Sequence, residues 1–144
     1  MADHVKLPAP TGSGVAFVTG AFGFLGGAVA ASLEASGWRV AAIGNPGRRP
    51  PAAVLIEREV DARSLGEAAE RLGAPGLVFH AAGGGSVGAS LADPAGDKAR
   101  TVESLGRTLA FLEAHAPRAR LIYPSSGAVY GGAHSGPIPE TAPP

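Results

Sequence analysis

Two stretches carry residues whose types and spacing suit chemistry. Residues 18–26, VTGAFGFLG, set Gly20, Gly23 and Gly26 at even intervals between an apolar run and an Ala/Leu-rich segment. Residues 122–131, IYPSSGAVYG, bring the neighbouring hydroxyls of Ser125 and Ser126 to the end of another apolar run. In the first stretch the glycines suit a phosphate cradle. Gly20 permits a tight turn, Gly23 lets the backbone approach a pyrophosphate with no Cβ in the way, and Gly26 lets a helix pack close to a sheet. The first turn of that helix, with Phe24 and Leu25, then offers unpaired N–H groups and the positive end of a dipole. The alternative is a glycine bend with only a structural role.

Such residues need a scaffold. Val15–Thr19 is β-branched and aromatic on both faces, which predicts a strand covered on two sides. Residues 24–37 put Leu25, Val29 and Leu33 on one helical stripe and end at Gly37, a suitable C-cap. Residues 38–44 predict a second strand, broken by the turn residues NPGRRPP, and residues 52–62 a third strand ending near Asp61. A helix is expected over residues 64–72, opened by the capping-box spacing of Ser64 and Glu67. Residues 76–82 predict a fourth strand, GGGSVGASLADPAG a long glycine-rich loop, and residues 97–114 a helix with Val102, Leu105, Leu109 and Leu112 on its apolar face. A fifth strand is expected over residues 120–126. Strands alternating with helices in this way predict an α/β fold, a doubly wound parallel sheet of about five strands with ligands bound outside the carboxyl ends of the strands.

Composition sets the limits. The chain has 144 residues, room for one domain, with 45% apolar and 17% charged residues and a formal net charge of zero. A neutral balance argues against nucleic acid or an anionic membrane as partner. There are no cysteines, hence no disulfides or thiolate metal sites. His4, His115 and His134 have no ligand spacing and no carboxylate cluster accompanies them, so no metal is expected. Without an apolar leader at the N-terminus, a cytoplasmic protein is expected. Residues 1–13 read as a flexible lead-in, residues 14–131 as the nucleotide-binding domain, and residues 132–144 as an extended loop.

The glycine spacing is T-G-x-x-G-x-x-G, not the commoner G-x-G-x-x-G. That form resembles the extended short-chain dehydrogenase/reductases, the NAD(P)-dependent sugar epimerase and dehydratase family, and the resemblance runs over about residues 14–143. Four further stretches resemble family motifs in order: VDA with Asp61 and Ala62, FHAAG with His80, Ala81 and Ala82, SVGASLADP opened by Ser86, and IYPSSGAVYG. The resemblance implies a Rossmann-like domain in which the Asp61 carboxylate accepts the adenine amino group; a strand-end or helix-start role is the alternative. It implies that the FHAAG strand runs beside the nicotinamide-side ribose and that the loop from Ser86 touches cofactor and substrate. Ser126 falls on the catalytic hydroxyl that bonds the substrate oxygen, with Ser125 beside it on the cofactor; a loop serine bonding backbone is the alternative. In the family a tyrosine activated by a lysine moves the proton, and hydride passes between substrate carbon and cofactor.

The chain departs from the family pattern in three places. Its tyrosines, Tyr123 and Tyr130, lack a lysine four residues on, so the Tyr-x-x-x-Lys pair is missing. The second strand ends in Gly44 and Asn45 without an acid, and Arg48 and Arg49 follow. Arginines there could grip a 2′-phosphate, which favours NADP over NAD; a solvated turn is the alternative. Thr101 stands where the family commonly has an Asn near the nicotinamide ribose. His80, in an apolar strand end, suits a structural role better than a catalytic one.

These readings together predict the cofactor-binding part of a nucleotide-sugar epimerase or dehydratase, with an incomplete sheet and no substrate domain, inactive alone and homodimeric at full length. The chain is expected to be a fragment of a longer reading frame, since IPETAPP falls inside the loop that leads to the tyrosine in the family. A non-catalytic NADP-binding or sensing module is the other reading.

Overall fold

The computed structural model describes residues 14–84, 86–132 and 136–143. The expected flexible lead-in, together with His4 and His134, lies outside the described residues. At the centre is β1 (Val15–Thr19), buried along its whole length. β2 (Arg39–Gly44), β3 (Val54–Glu57), β4 (Leu77–His80) and β5 (Arg120–Ile122) complete a five-stranded sheet in the order β3-β2-β1-β4-β5. All the pairings are parallel. The expected Rossmann-like doubly wound sheet is therefore present. Strand order reverses at β1, and in such sheets the crevice for a ligand opens at that reversal. Register decides what meets there: Thr19 lies opposite Ile43 of β2 on one side and His80 of β4 on the other.

Helices cover both faces. α1 (Phe24–Ala35) follows the glycine turn, and α2 (Ala62–Leu72) joins β3 to β4. After β4 come α3 (Val87–Ala92), α4 (Pro94–Lys98), a π-helical segment (Ala99–Glu103) and α5 (Ser104–His115). α1 packs on Ala16, Val18, Val40 and Ala42 through Ala30. α2 and α5 pack on the opposite face, where Leu65, Phe111 and Leu112 meet Val15, Phe17 and Ile43. The rings of Phe17 and Phe111 lie 6.1 Å apart. Each such fully buried side chain stabilises the fold by roughly 1.5–3 kcal/mol. No helix is joined between β2 and β3. Glu34 of α1 secures that connection, its Oε1 accepting from Val40 N–H at 3.0 Å and Ala53 N–H at 2.8 Å.

Several expectations change in detail. The buried face of α1 is Gly26 and Ala30, with Val29 and Leu33 beside it, whereas Leu25 is exposed because the glycine, not the leucine, meets the turn. α1 is capped at Ser36, one residue before Gly37, which takes the left-handed conformation at φ +86°. The third strand stops at Glu57, and the N-cap of α2 is Asp61 with Ser64 at the third helical position, so the box lies three residues earlier than Ser64 and Glu67 implied. α3 and α4 replace the long loop, each opened by a capping side chain, Ser86 and Asp93. On α5 the buried positions are Ser104, Thr108, Phe111 and Leu112, while Leu109 and, in the preceding π-helical segment, Val102 face solvent. The fifth strand ends at Ile122, and a 3-10 turn (Gly127–Tyr130) follows. Among the described residues no helix is long and apolar enough to cross a membrane, and no cluster of three or more metal-ligating side chains occurs.

Candidate functional site

The turn from β1 into α1 owes its shape to backbone contacts that only glycine allows. Gly20 has φ +66°, and a β-carbon there would lie 2.5 Å from the Ala81 carbonyl oxygen and 2.7 Å from Ala82 N. The Gly23 N–H donates to the Gly20 carbonyl at 3.1 Å, and the first intrahelical bond runs from Gly27 N–H to the Gly23 carbonyl at 3.0 Å. Ahead of that bond, the N–H groups of Phe24, Leu25 and Gly26 have no intrahelical acceptor. No side chain caps them. An anion at this helix start would meet free donors and the positive dipole end. The Phe24 side chain is 97% exposed, so its backbone is the part this geometry employs.

A cleft of about 350 Å³ opens at the reversal point. One wall is the glycine turn with Gly20, Phe22 and Gly23; a second is the β2 exit, Gly44 to Pro46, with Glu59 and Val60 of the β3–α2 link. The third is the β4 exit, Ala81 to Gly83, faced by Ala99, Arg100, Ser104 and Arg107 from the helical segment above. Its size is within the usual range for small-molecule sites. Of the residues singled out in the sequence, Gly20, Gly23, Asn45, Ala81 and Ala82 meet in this cleft.

Asp61 and Ala62 stand apart from its lining. The Asp61 carboxylate accepts from Ser64 N–H at 2.7 Å while Ser64 Oγ accepts from Asp61 N–H at 3.0 Å. That hydrogen bond from the Ser64 backbone is the main reason the carboxyl is held below its ordinary value of 3.8. The acid lining the cleft is Glu59, next to Val60, two residues earlier in the chain. An acid followed by an apolar residue occurs twice in the stretch EVDA, and the capping position of Asp61 is what separates the two. Sequence reasoning also missed Phe22, Arg100 and Arg107. It missed Gly47 as well, where a β-carbon would lie 2.7 Å from the Phe22 carbonyl oxygen.

His80 is fully buried beneath the cleft. Its Nδ1 lies 2.9 Å from Thr19 Oγ1 and 3.2 Å from Thr108 Oγ1, and its Nε2 lies 3.4 Å from Ser104 Oγ. Ser104 Oγ donates to the Arg100 carbonyl and Thr108 Oγ1 to the Ser104 carbonyl, so a neutral imidazole protonated at Nε2 satisfies the group. Burial pushes the His80 pKa down to about 4. Among the described residues no buried side-chain nitrogen or oxygen lacks a partner.

The remaining candidates frame the cleft. Thr101 Oγ1 accepts from Gly84 N–H at 3.0 Å, tying the helical segment to the β4 exit. Ser86 Oγ accepts from Ala89 N–H at 3.3 Å and Ser126 Oγ from Ala128 N–H at 3.2 Å, each opening a short helical turn. Ser125 and Ser126 are exposed beyond the end of β5. Arg48 is exposed, whereas Arg49 forms an ion pair with Glu57 at the end of β3.

The family model described as NAD dependent epimerase/dehydratase matches residues 16–144. The UDP-glucose 4-epimerase of Thermus thermophilus, solved with NAD, is similar over 90% of this chain and 44% of its own, at 29% identity and a TM-score of 0.76. That of Brucella ovis, also with NAD, is similar over 88% and 40%, at 28% identity and 0.74. The Thermotoga maritima enzyme, solved with UDP-glucose, is similar over 89% and 43%, at 27% identity and 0.73. This chain thus spans about 40–44% of the length of these relatives. No curated protein sequence gives a significant match.

Proposed function

This chain belongs to the NAD dependent epimerase/dehydratase family, and from that membership we propose that its cleft binds NADP, or NAD less tightly, for redox chemistry on a nucleotide sugar. The observation that carries the proposal is the contact of Gly20 with Ala81, which makes the glycine turn and the β4 exit two sides of one crevice at the strand-order reversal. The residues present fit a dinucleotide. The N–H groups of Phe24, Leu25 and Gly26 hold the pyrophosphate, Asn45 takes the adenine-side ribose, and Glu59 with Val60 takes the adenine edge that the sequence suggested for Asp61 and Ala62. The chain's own titles to a 2′-phosphate are the missing acid at Gly44 and the exposed guanidinium of Arg48. Ala81 and Ala82 line the path toward the nicotinamide end, with Thr101 and His80 fixing that wall from behind and Ser125 at its margin.

The bound cofactor supplies a hydride acceptor and donor. Ser126 donates a hydrogen bond to the reacting oxygen of the sugar, and Ser86 holds the substrate from the β4 side. Neither Tyr123 nor Tyr130 is followed at four residues by a lysine. These 144 residues therefore bind cofactor without turning over substrate. That same feature favours the second reading, a cofactor-binding module with no catalytic duty. A cysteine-free chain suits a reducing compartment, and we place it in the cytoplasm, as a homodimer.

Titration of the folded protein with NADPH and NADH tests the reading. Saturable binding with NADPH the tighter ligand is expected; a folded sample that binds neither overturns it. Turnover of a UDP-sugar by the same 144 residues would remove the claim of inactivity.

A further inference from the structure

Three side-chain contacts staple the link between β3 and α2, and two of them are local. Arg58 pairs with Glu67, and Asp61 closes the box with Ser64. The third comes from across the cleft. Arg107, on the second turn of α5, donates from Nη1 to the Val60 carbonyl at 3.4 Å, while its Nη2 donates to Glu103 at 3.2 Å. Glu103 ends the π-helical segment and is also 3.7 Å from Lys98, so the guanidinium is held at both ends. Arg107 itself lines the cleft, next to Glu59 and Val60. α2 and α5 also share the apolar cluster of Leu65, Ala68, Leu72, Phe111 and Leu112, and such non-directional contacts set a distance between helices but not the height of the link above the sheet.

We infer that Arg107 is a positioning residue for the adenine end of the cleft: by holding the Val60 carbonyl it fixes where the Glu59 carboxylate stands, and so lets the site tell an amino-purine from an oxo-purine. The inference rests on the dinucleotide reading above. A guanidinium suits the task because its planar fork serves two acceptors at once, here one carbonyl and one carboxylate. Lysine in its place would keep the charge and lose the fixed geometry. The Glu59 carboxylate accepts from the adenine amino group; nicotinamide hypoxanthine dinucleotide presents a carbonyl there, two acceptors facing each other.

The test measures affinity for NAD and for nicotinamide hypoxanthine dinucleotide by competition, in the unaltered chain and in Arg107→Ala, Arg107→Lys and Glu59→Ala. The unaltered chain is expected to prefer the adenine form by about tenfold or more, the size of one hydrogen bond to a charged group. Arg107→Ala should shrink that preference to about threefold or less, Arg107→Lys should recover part of it, and Arg107→Ala should do nothing further in a Glu59→Ala background. If Arg107→Ala is unfolded by circular dichroism, Arg107→Lys alone decides. An unchanged preference in folded Arg107 variants overturns the inference while leaving the dinucleotide reading intact. Failure of the unaltered chain to bind either dinucleotide overturns both.

Discussion

Gly26 rests directly on Gly20: a β-carbon at position 26 would overlap the Gly20 carbonyl oxygen and lie 2.7 Å from its carbonyl carbon. The obstacle is backbone on both sides, so no side chain can swing away to make room. Gly26→Ala is expected to push α1 away from the turn, lowering stability by about 1–3 kcal/mol, as overpacking does. NADPH affinity should fall with it, because the displaced helix start carries the N–H donors proposed for the phosphates. Denaturant unfolding and ligand titration of the variant read the two effects, and an unchanged midpoint would contradict the contact.

Asp61 and Glu59 should separate stability from binding. Asp61→Ala removes a helix cap and is expected to cost about 0.5–2 kcal/mol while leaving cofactor affinity unaltered. Glu59→Ala should weaken cofactor binding about tenfold with little change in stability. Because the Asp61 carboxyl is held below its ordinary value of 3.8, its contribution is complete above that pH and is lost as acid protonates the folded form. Paired melting curves and titrations check both halves.

The His80 imidazole gives the protein an acid-sensitive stability. Its pKa in the fold is about 4, against an ordinary value of 6.5 in the unfolded chain. Between these two values the unfolded chain binds the extra proton, so stability is complete above pH 6.5, declines as pH falls, and levels off below about 4. The full decline attributable to this group is about 3 kcal/mol. His80→Gln is expected to be less stable at neutral pH but to lack that part of the slope. Thermal melts across pH 4–7 of both proteins give the comparison.

Arg48 and Arg49 should differ despite their adjacency. The Arg49 guanidinium is engaged with Glu57, whereas no ion pair of Arg48 occurs among the described residues. Arg48→Ala is expected to weaken NADPH about tenfold and NADH hardly at all, with Arg49→Ala having the smaller effect. Equal losses for NADPH and NADH would argue against a 2′-phosphate contact.

The sheet and the glycine turn were legible because each is written locally. β-branched runs such as Val15–Thr19 carry their own burial, and Gly20 to Gly26 sit where a strand hands over to a helix. What escaped depended on partners distant in the chain. Ser104 is buried in α5 against the His80 ring and Thr108 by turning its hydroxyl onto the Ser104 carbonyl, whereas apolar spacing alone points to Val102 and Leu109, which are exposed. α3 and α4 were masked by glycine and proline, although Ser86 and Asp93 each stood at a capping position. Arg107 was unreadable for the same reason as Ser104, since its acceptor is the carbonyl of Val60, 47 residues away.

The place of β1 between β2 and β4 has a consequence for assembly. A chain growing from its N-terminus presents β2 and β3 first, and these can pair with β1 while β4 is still to come. The wall that Gly20 leans on, Ala81 and Ala82, arrives only with β4. The proposed phosphate cradle looks like a short local motif, yet its walls come from both halves of the sheet. A dinucleotide bound there would touch both halves and so act as a clasp between them, stabilising their union by mass action.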